Sequence, residues 1–240
     1  MPSIRTVLRE AKCDIPYGSL YYPFCGHDTY KYISNFWNDI KEFHFSDIHC
    51  PSLPIESEVS LNTDSLNRSQ IRRHISRNEI SELIQTKKDY PAAELVIEGI
   101  GRINVPRHVA IRDTFIQNKT KQKISVFSHK FDSLLTLAKL KNISILVYLG
   151  DSPGEGGSGQ LWMEPPIFEV LVSKMIGGGF IITDALTPNN CRNEKRGNTF
   201  QYHDTIPHEK IYHFVQFGKT INHITTNGRR YGDIHIWQVT

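Results

Sequence analysis

The pattern of apolar and polar positions changes most abruptly after residues 143–149, where a nearly continuous apolar run ends. Several residues of this run are β-branched or aromatic, which favours a strand buried on both faces, as in the middle of a parallel sheet. Glycines and two carboxylates, Asp151 and Glu155, follow at once. Glycine frees the backbone and interrupts a ladder, so we expect a functional loop at the carboxyl edge of an open α/β sheet. The alternative is a solvated loop that uses glycine only to turn.

The same alternation of short apolar strands and amphipathic helices extends on both sides of that run. It indicates a parallel, doubly wound sheet. The predicted order is a strand at 123–128, a helix at 130–140, the strand at 143–149, a helix at 167–175 that stops at Gly177–Gly179, and a strand at 180–184 tipped with Asp184.

Nearer the amino terminus, we expect a short amphipathic helix at 1–14 and then a strand at 20–22. The strand is predicted to end at Pro23, because proline lacks the N–H that a central ladder needs. Gly26 then marks a turn, and a helix is expected to begin at Asp28 or Thr29. A second strand at 42–47 ends in Asp47. This order of elements is typical of a unit that binds an adenosine moiety: a strand, a glycine turn, a helix and a second strand that ends in an acid. The acid accepts hydrogen bonds from the ribose hydroxyls. An ordinary β-α-β turn is the alternative.

The remaining segments are predicted from weaker patterns. Residues 69–87 suggest a helix with arginines on its outer face, and residues 95–111 suggest a hairpin that turns at Arg102–Asn104. Strands at 211–217 and 234–239 lack a long helix between them and are most simply antiparallel. We therefore expect a single domain over residues 1–240, with an insertion or subdomain at about 52–118.

Composition and charge narrow the functional classes only slightly. The chain has 240 residues, a net charge of +3 and a pI near 8.6, which alone does not imply a nucleic-acid partner. Residues 66–123 are more basic, with twelve Lys and Arg against six Asp and Glu. Nucleic acid could bind there, but no aromatic residues interleave with the arginines to stack on bases, so a solvated helix face is the favoured interpretation.

The four cysteines are widely spaced, and neither cysteines nor histidines have metal-ligand spacing. No metal site is therefore expected. No signal peptide and no apolar run of membrane-spanning length is found, so the expectation is a cytoplasmic protein without a membrane partner.

These segments together resemble the Rossmann-like fold of class I S-adenosylmethionine-dependent methyltransferases. Tyr22–Asp28 stands where that family has its glycine-containing first loop, and Asp47 where its second strand ends in a ribose-binding acid. Val147–Asp151 stands where its fourth strand delivers residues to the site of methyl transfer. The resemblance covers about 19–50 and 122–240. It implies a doubly wound, mostly parallel Rossmann-like α/β sheet that ends in an antiparallel strand pair and carries a basic insertion.

The resemblance implies S-adenosylmethionine as cofactor and a role for three groups of residues. The cofactor-binding residues would be Pro23, Cys25, Gly26, Asp28 and Asp47. The residues that orient or deprotonate the acceptor would be Asp151 and Glu155, and the substrate-binding residues would be Ser152, Gly156, Gly157, Ser158 and Asp184.

The sequence departs from the family in two places. Gly26 is alone where the family usually has several glycines, and the tetrapeptide of amino-group DNA methyltransferases is absent after the fourth strand. Glu164–Phe168 is superficially similar to that tetrapeptide but comes about a dozen residues too late. We therefore do not expect a DNA base as the substrate. The expected methyl acceptor is a small molecule or an unidentified macromolecule.

Two other functions remain open. Asp151, Glu155 and Asp184 could serve a nucleotide-related hydrolase or glycosidase-like enzyme as acid, base or metal ligands. No GxxxxGK[ST] loop is present, which counts against an NTPase. Alternatively, the chain is a non-catalytic Rossmann-like module that binds a partner through its basic region.

Overall fold

The computed structural model of the chain describes residues 4–25, 29–47, 80–97, 101–105, 108–130, 133–149, 167–184, 213–216, 218–227 and 234–240. The helices are α1 (Ile4–Glu10), α2 (Thr29–Phe36), α3 (Ser133–Lys139) and α4 (Ile167–Lys174). The strands are β1 (Ser19–Pro23), β2 (Glu42–Asp47), β3 (Ile80–Tyr90), β4 (Ala93–Ile97), β5 (Gly101–Val105), β6 (His108–Gln117), β7 (Lys123–Lys130), β8 (Ile143–Tyr148), β9 (Met175–Thr183), β10 (His213–Gln216), β11 (Lys219–Asn227) and β12 (Ile234–Val239).

Ten of these strands form one sheet in the order β10-β11-β12-β9-β8-β1-β2-β7-β6-β3, and β4 and β5 form a separate antiparallel pair. The neighbours from β9 to β7 are all parallel. On one side β12, β11 and β10 continue the sheet with antiparallel pairing, and on the other side β6 and β3 do the same. The prediction of an α/β protein with a large, mostly parallel central sheet is therefore confirmed.

The central strands are apolar on both faces because helices cover both faces of the sheet. All six residues of β8 and all five of β1 are buried. Leu20 and Tyr22 of β1 belong to the core cluster that contains buried residues of α1 and α2, whereas Tyr21 belongs to the cluster of α3 and α4. Because side chains of a strand alternate between faces, one strand supplies both cores.

Two lysines from neighbouring elements satisfy the carboxyl ends of the helices on one face. Lys174 Nζ donates to the carbonyl oxygens of Ala138 and Leu140, both at 3.1 Å, where α3 ends. Lys219 Nζ, at the start of β11, donates to the carbonyl oxygens of Val172 at 3.0 Å and of Met175, where α4 ends. An ammonium group suits the negative end of a helix, and these bonds attach the carboxyl-terminal strands to α4.

Several predicted elements are confirmed with small changes of boundary. The strand predicted at 42–47 has the predicted bounds, and the strand at 20–22 extends by one residue at each end, with Pro23 as its last residue. The predicted strands at 123–128 and 143–149 are β7 and β8, and the helices expected at 1–14 and 130–140 are the shorter α1 and α3.

The predicted helix at 69–87 is wrong where the structure describes it, because Ile80–Tyr90 is a strand. Its apolar residues also fit a strand that pairs along its length with β6. The predicted hairpin turn at Arg102–Asn104 is wrong as well: these residues lie inside β5, which pairs with β4. The expected insertion at about 52–118 stays a prediction.

Two further predictions near the carboxyl terminus are corrected. Gly177–Gly179 does not stop a helix; α4 ends at Lys174, and the glycines lie inside β9. A Cβ at Gly179 would lie 2.9 Å from the carbonyl oxygen of Ser144 on β8, so the glycine permits close pairing there. The strands predicted at 211–217 and 234–239 are not an antiparallel pair. Strand β11 lies between β10 and β12 and runs antiparallel to both, so β10 and β12 run parallel to each other.

Among the described residues, no helix is both long enough and apolar enough to cross a membrane.

The entry to β1 depends on close contact between backbones. The Ser19 N–H donates to the carbonyl oxygen of Asn142 at 3.1 Å, and a Cβ at Gly18 would overlap that oxygen and Ser144 Oγ. Only glycine fits between β1 and the residue that precedes β8.

We therefore expect Gly18→Ala to destabilise the protein by about 1–3 kcal/mol, as overpacking does in a buried site. Gly177→Ala is the matched control, because a Cβ there would meet no heavy atom within 4 Å. Its effect should stay within about 0.5 kcal/mol. Urea unfolding of both variants measures the difference, and equal free energies of unfolding would contradict the contact.

Candidate active site

The parallel strands bring two predicted acids to one edge of the sheet. Pro23, the last residue of β1, pairs with Ser46, so Asp47 lies one residue beyond it. Thr183 of β9 pairs with Tyr148 of β8, and Asp184 follows directly. Both carboxylates are partly exposed. Because carboxyl ends of parallel strands meet at the same edge, Asp47 and Asp184 flank the ends of β1 and β8 from opposite sides.

The chain turns sharply where β1 ends. Phe24 has a φ of 55°, the left-handed region that non-glycine residues rarely adopt. The N–H of Cys25 then donates to the carbonyl oxygen of Ser46 at 3.3 Å, which fastens the turn to β2. The Cys25 side chain is only 2% exposed and belongs to the core with Tyr22 and Tyr32. Cys25 therefore packs beneath the edge as part of the core.

An aromatic contact connects this turn to the end of β8. The rings of Phe24 and Tyr148 meet edge to face, with centroids 6.3 Å apart and planes at 82°. Tyr148 is 3% exposed. Sequence reasoning did not select either residue for the site. Their positions in the sequence could have indicated them, because each is an aromatic residue at the end of a central strand.

This edge offers groups suited to a ligand that carries hydroxyls and a positive charge. Carboxylates such as Asp47 and Asp184 accept hydrogen bonds from ribose hydroxyls and attract cations. Aromatic faces attract cations as well, and the half-buried ring of Phe24 lies beside the turn, supported from below by the buried ring of Tyr148. The described part of the edge is therefore chemically suited to a ligand that carries hydroxyls and a positive charge.

The other predicted site residues lie outside the described part of the chain. They are Gly26, Asp28, Asp151, Ser152, Glu155, Gly156, Gly157 and Ser158. Their predicted roles stay predictions. Within the ranges that the structure describes, no group of three potential metal ligands is found.

A second polar cluster runs along β2 and β7 from the start of β2 toward this edge. His44 stacks on Phe127 with centroids 4.7 Å apart, and its Nδ1 lies 3.4 Å from Nε2 of His129. The other ring nitrogen, Nε2, is 2.6 Å from Oε1 of Glu42, at the start of β2. This hydrogen bond lowers the pKa of Glu42 against an opposing effect of burial, and the nearby charges of His44 and Arg112 lower that pKa further.

Comparisons with known proteins add little to this geometry. No family model and no curated protein matches the chain. Among solved structures, the chain is similar to precorrin 8W decarboxylase of Methanobacterium thermoautotrophicum, with a TM-score of 0.37 and 12% identity over 98% of this chain and 87% of that one. That likeness is too weak to establish a shared fold or activity.

The Glu42–His44 contact predicts a pH-dependent contribution to stability. Because the folded-state pKa of Glu42 is lowered, the contribution is present above the unfolded pKa and is lost as pH falls through the folded pKa. We expect Glu42→Gln to lower the melting temperature at neutral pH and to differ less from the wild type at strongly acidic pH, because the carboxylate takes up a proton as the pH falls through its lowered folded pKa.

Glu94→Gln is the control, because Glu94 forms an exposed ion pair with Arg102 at 3.3 Å. Exposed pairs contribute little, so its melting temperature should stay close to the wild type throughout. If the melting temperatures of Glu42→Gln and the wild type differed by the same amount at neutral and at acidic pH, the charge of this carboxylate would not contribute to stability.

Proposed function

We propose that the chain is a class I S-adenosylmethionine-dependent methyltransferase that acts on a small molecule or an unidentified macromolecule. The observation that carries the proposal is the order of the five parallel strands, β7-β2-β1-β8-β9. Numbered along the chain, they run third, second, first, fourth and fifth, the order of a doubly wound, Rossmann-like nucleotide-binding sheet. The order reverses between β1 and β8, and such sheets bind ligands outside the carboxyl ends at that point.

The carboxyl-terminal strands favour the methyltransferases among doubly wound enzymes. The resemblance in sequence implies a sheet closed by a final antiparallel pair. Here β12 runs antiparallel to β9 and pairs on its other side with β11, also antiparallel. Helices cover both faces of the parallel region, as the proposed class requires.

The residues at the reversal support a specific arrangement of the ligand. Asp47, at the tip of β2, would accept hydrogen bonds from the ribose hydroxyls, and the turn at Phe24 and Cys25 would approach the ligand through its backbone. The half-buried ring of Phe24 would lie on the side of the sulfonium, with Asp184 on the acceptor side. When bound, S-adenosylmethionine supplies the activated methyl group.

The chain's own contribution would be mainly to hold the acceptor in line with the methyl group and to remove a proton where the acceptor carries one. Asp151 and Glu155, which follow β8 in sequence, are the residues proposed for orienting or deprotonating the acceptor. Their role rests on the resemblance and on their place after the fourth parallel strand.

Isothermal titration with S-adenosylmethionine tests the proposal. We expect binding to the wild type and roughly 10- to 100-fold weaker binding to Asp47→Asn, the loss expected for one hydrogen bond to a charged group. Asp89→Asn is the control, because Asp89 is exposed on β3 at the far edge of the sheet. It should bind like the wild type.

The absence of heat with folded wild-type protein would overturn the cofactor assignment. So would equal affinities of Asp47→Asn and Asp89→Asn, because the acid at the end of β2 would then have no role. Metal-dependent turnover of nucleotides in the same preparation would instead support the hydrolase.

A further inference from the structure

A second cleft lies at the opposite, amino edge of the sheet, where β1, β2, β7 and β8 begin. Its volume is about 370 Å³. Four cationic side chains line it: Lys41, Arg112, Lys123 and Lys141. This edge takes no part in the proposed methyl transfer, which belongs to the carboxyl ends of the same strands.

The positive charge of the cleft is poorly balanced. Its one carboxylate among the described residues is Glu42, which is already hydrogen-bonded to His44. In the part of the chain that the structure describes, Lys41, Lys123 and Lys141 form no ion pair with a carboxylate. Like charges gathered in a concave surface raise the local concentration of anions. The cleft is therefore electrostatically suited to an anionic ligand.

A buried hydroxyl in the cleft also lacks a partner. Ser19 is 5% exposed, lines the cleft, and its Oγ has no hydrogen bond within the described residues. A buried polar group without a partner is costly, and its presence calls for an explanation. A ligand oxygen in the cleft would accept a hydrogen bond from it.

One of the four cations is held in a fixed position. Arg112 Nη2 donates to Ser125 Oγ at 3.0 Å, and the guanidinium lies 5.2 Å from the ring centroid of Phe127. A guanidinium fixed in this way loses little freedom when it binds an anion, and its planar fork matches the oxygens of a phosphate.

The edge of the cleft supplies an aromatic surface. Tyr17 is 75% exposed, and Lys41 Nζ lies 5.5 Å from its ring centroid. A large exposed ring beside a cationic cleft suits a ligand that has both a phosphate and a planar ring, because bases stack on aromatic side chains.

We propose that this cleft binds a nucleoside phosphate. The phosphate lies among Arg112, Lys123 and Lys141 and accepts a hydrogen bond from Ser19, and the base stacks on Tyr17. Inorganic phosphate and adenosine monophosphate are suitable probes, since each carries one phosphate and only the second adds the ring.

Isothermal titration at low ionic strength provides the test. Both probes should bind the wild type, adenosine monophosphate more tightly. The double variant Lys123→Ala/Lys141→Ala should weaken both at least tenfold, whereas Tyr17→Ala should weaken only adenosine monophosphate. The matched control is Lys119→Ala/Lys121→Asn, which removes two exposed charges elsewhere; Asn tolerates the φ of 56° at position 121.

Ser19→Ala separates binding from folding. Removal of an unpartnered buried hydroxyl should leave the melting temperature unchanged or raise it, while the affinity for inorganic phosphate falls. Circular dichroism confirms that each variant is folded before titration.

Three results would overturn the proposal. The first is a folded wild type that binds neither probe at low ionic strength. The second is an equal loss of affinity in Lys123→Ala/Lys141→Ala and in Lys119→Ala/Lys121→Asn, which would mean that the probes respond only to the overall charge of the surface. The third is an affinity for adenosine monophosphate that does not change in Tyr17→Ala. None of these results depends on whether S-adenosylmethionine binds at the opposite edge.

Discussion

The close contact between the start of β1 and the start of β8 is the constraint on which the rest of the structure depends. Gly18 has no room for a side chain beside Asn142 and Ser144, and the Ser19 N–H bonds to Asn142 across the same gap. This contact makes β1 and β8 neighbours although more than a hundred residues separate them in sequence. Their adjacency reverses the strand order, and the reversal creates the edge where Phe24 and Tyr148 meet.

The two ends of the central strands have opposite chemical character. At the carboxyl ends the described residues supply the carboxylates of Asp47 and Asp184 and the half-buried ring of Phe24. At the amino ends they supply lysines, Arg112 and a buried serine hydroxyl. Because the strands are parallel, groups at the same relative position converge without help from long loops. One sheet can thus present a surface for a cationic ligand at one end and a surface for an anionic ligand at the other.

The parallel half of the fold could be predicted from sequence because its signals are local. Buried strands read as apolar runs, and the acid at Asp47 follows its strand directly. The errors arose where tertiary pairing decided the outcome. Ile80, Leu83 and Ile84 fit a helical period as well as a strand, and only the partner β6 selects the strand. Gly177–Gly179 gives a strong helix-stop signal, but these glycines lie inside β9, where Gly179 pairs with Val239 of β12 and lies close to the backbone of Ser144 on β8.

The candidate site was predictable in part for the same reason. Asp47 and Asp184 were recognisable as acids at strand tips, whereas the Phe24–Tyr148 contact joins residues that are distant in sequence. The cleft at the amino edge could not be predicted, because Arg112, Lys123 and Lys141 look like ordinary surface charges until the strand order is known.

The place of β12 in the sheet determines when the protein can finish assembling. Strands β10 and β11 reach the central sheet only through β12, which follows both of them along the chain. During vectorial synthesis the ribosome therefore releases β10 and β11 before the strand that connects them to β9 exists. Until β12 is in place, Lys219 of β11 is not held where it can donate its hydrogen bonds to the end of α4. Until then the edge of β9 is open to pairing with another chain.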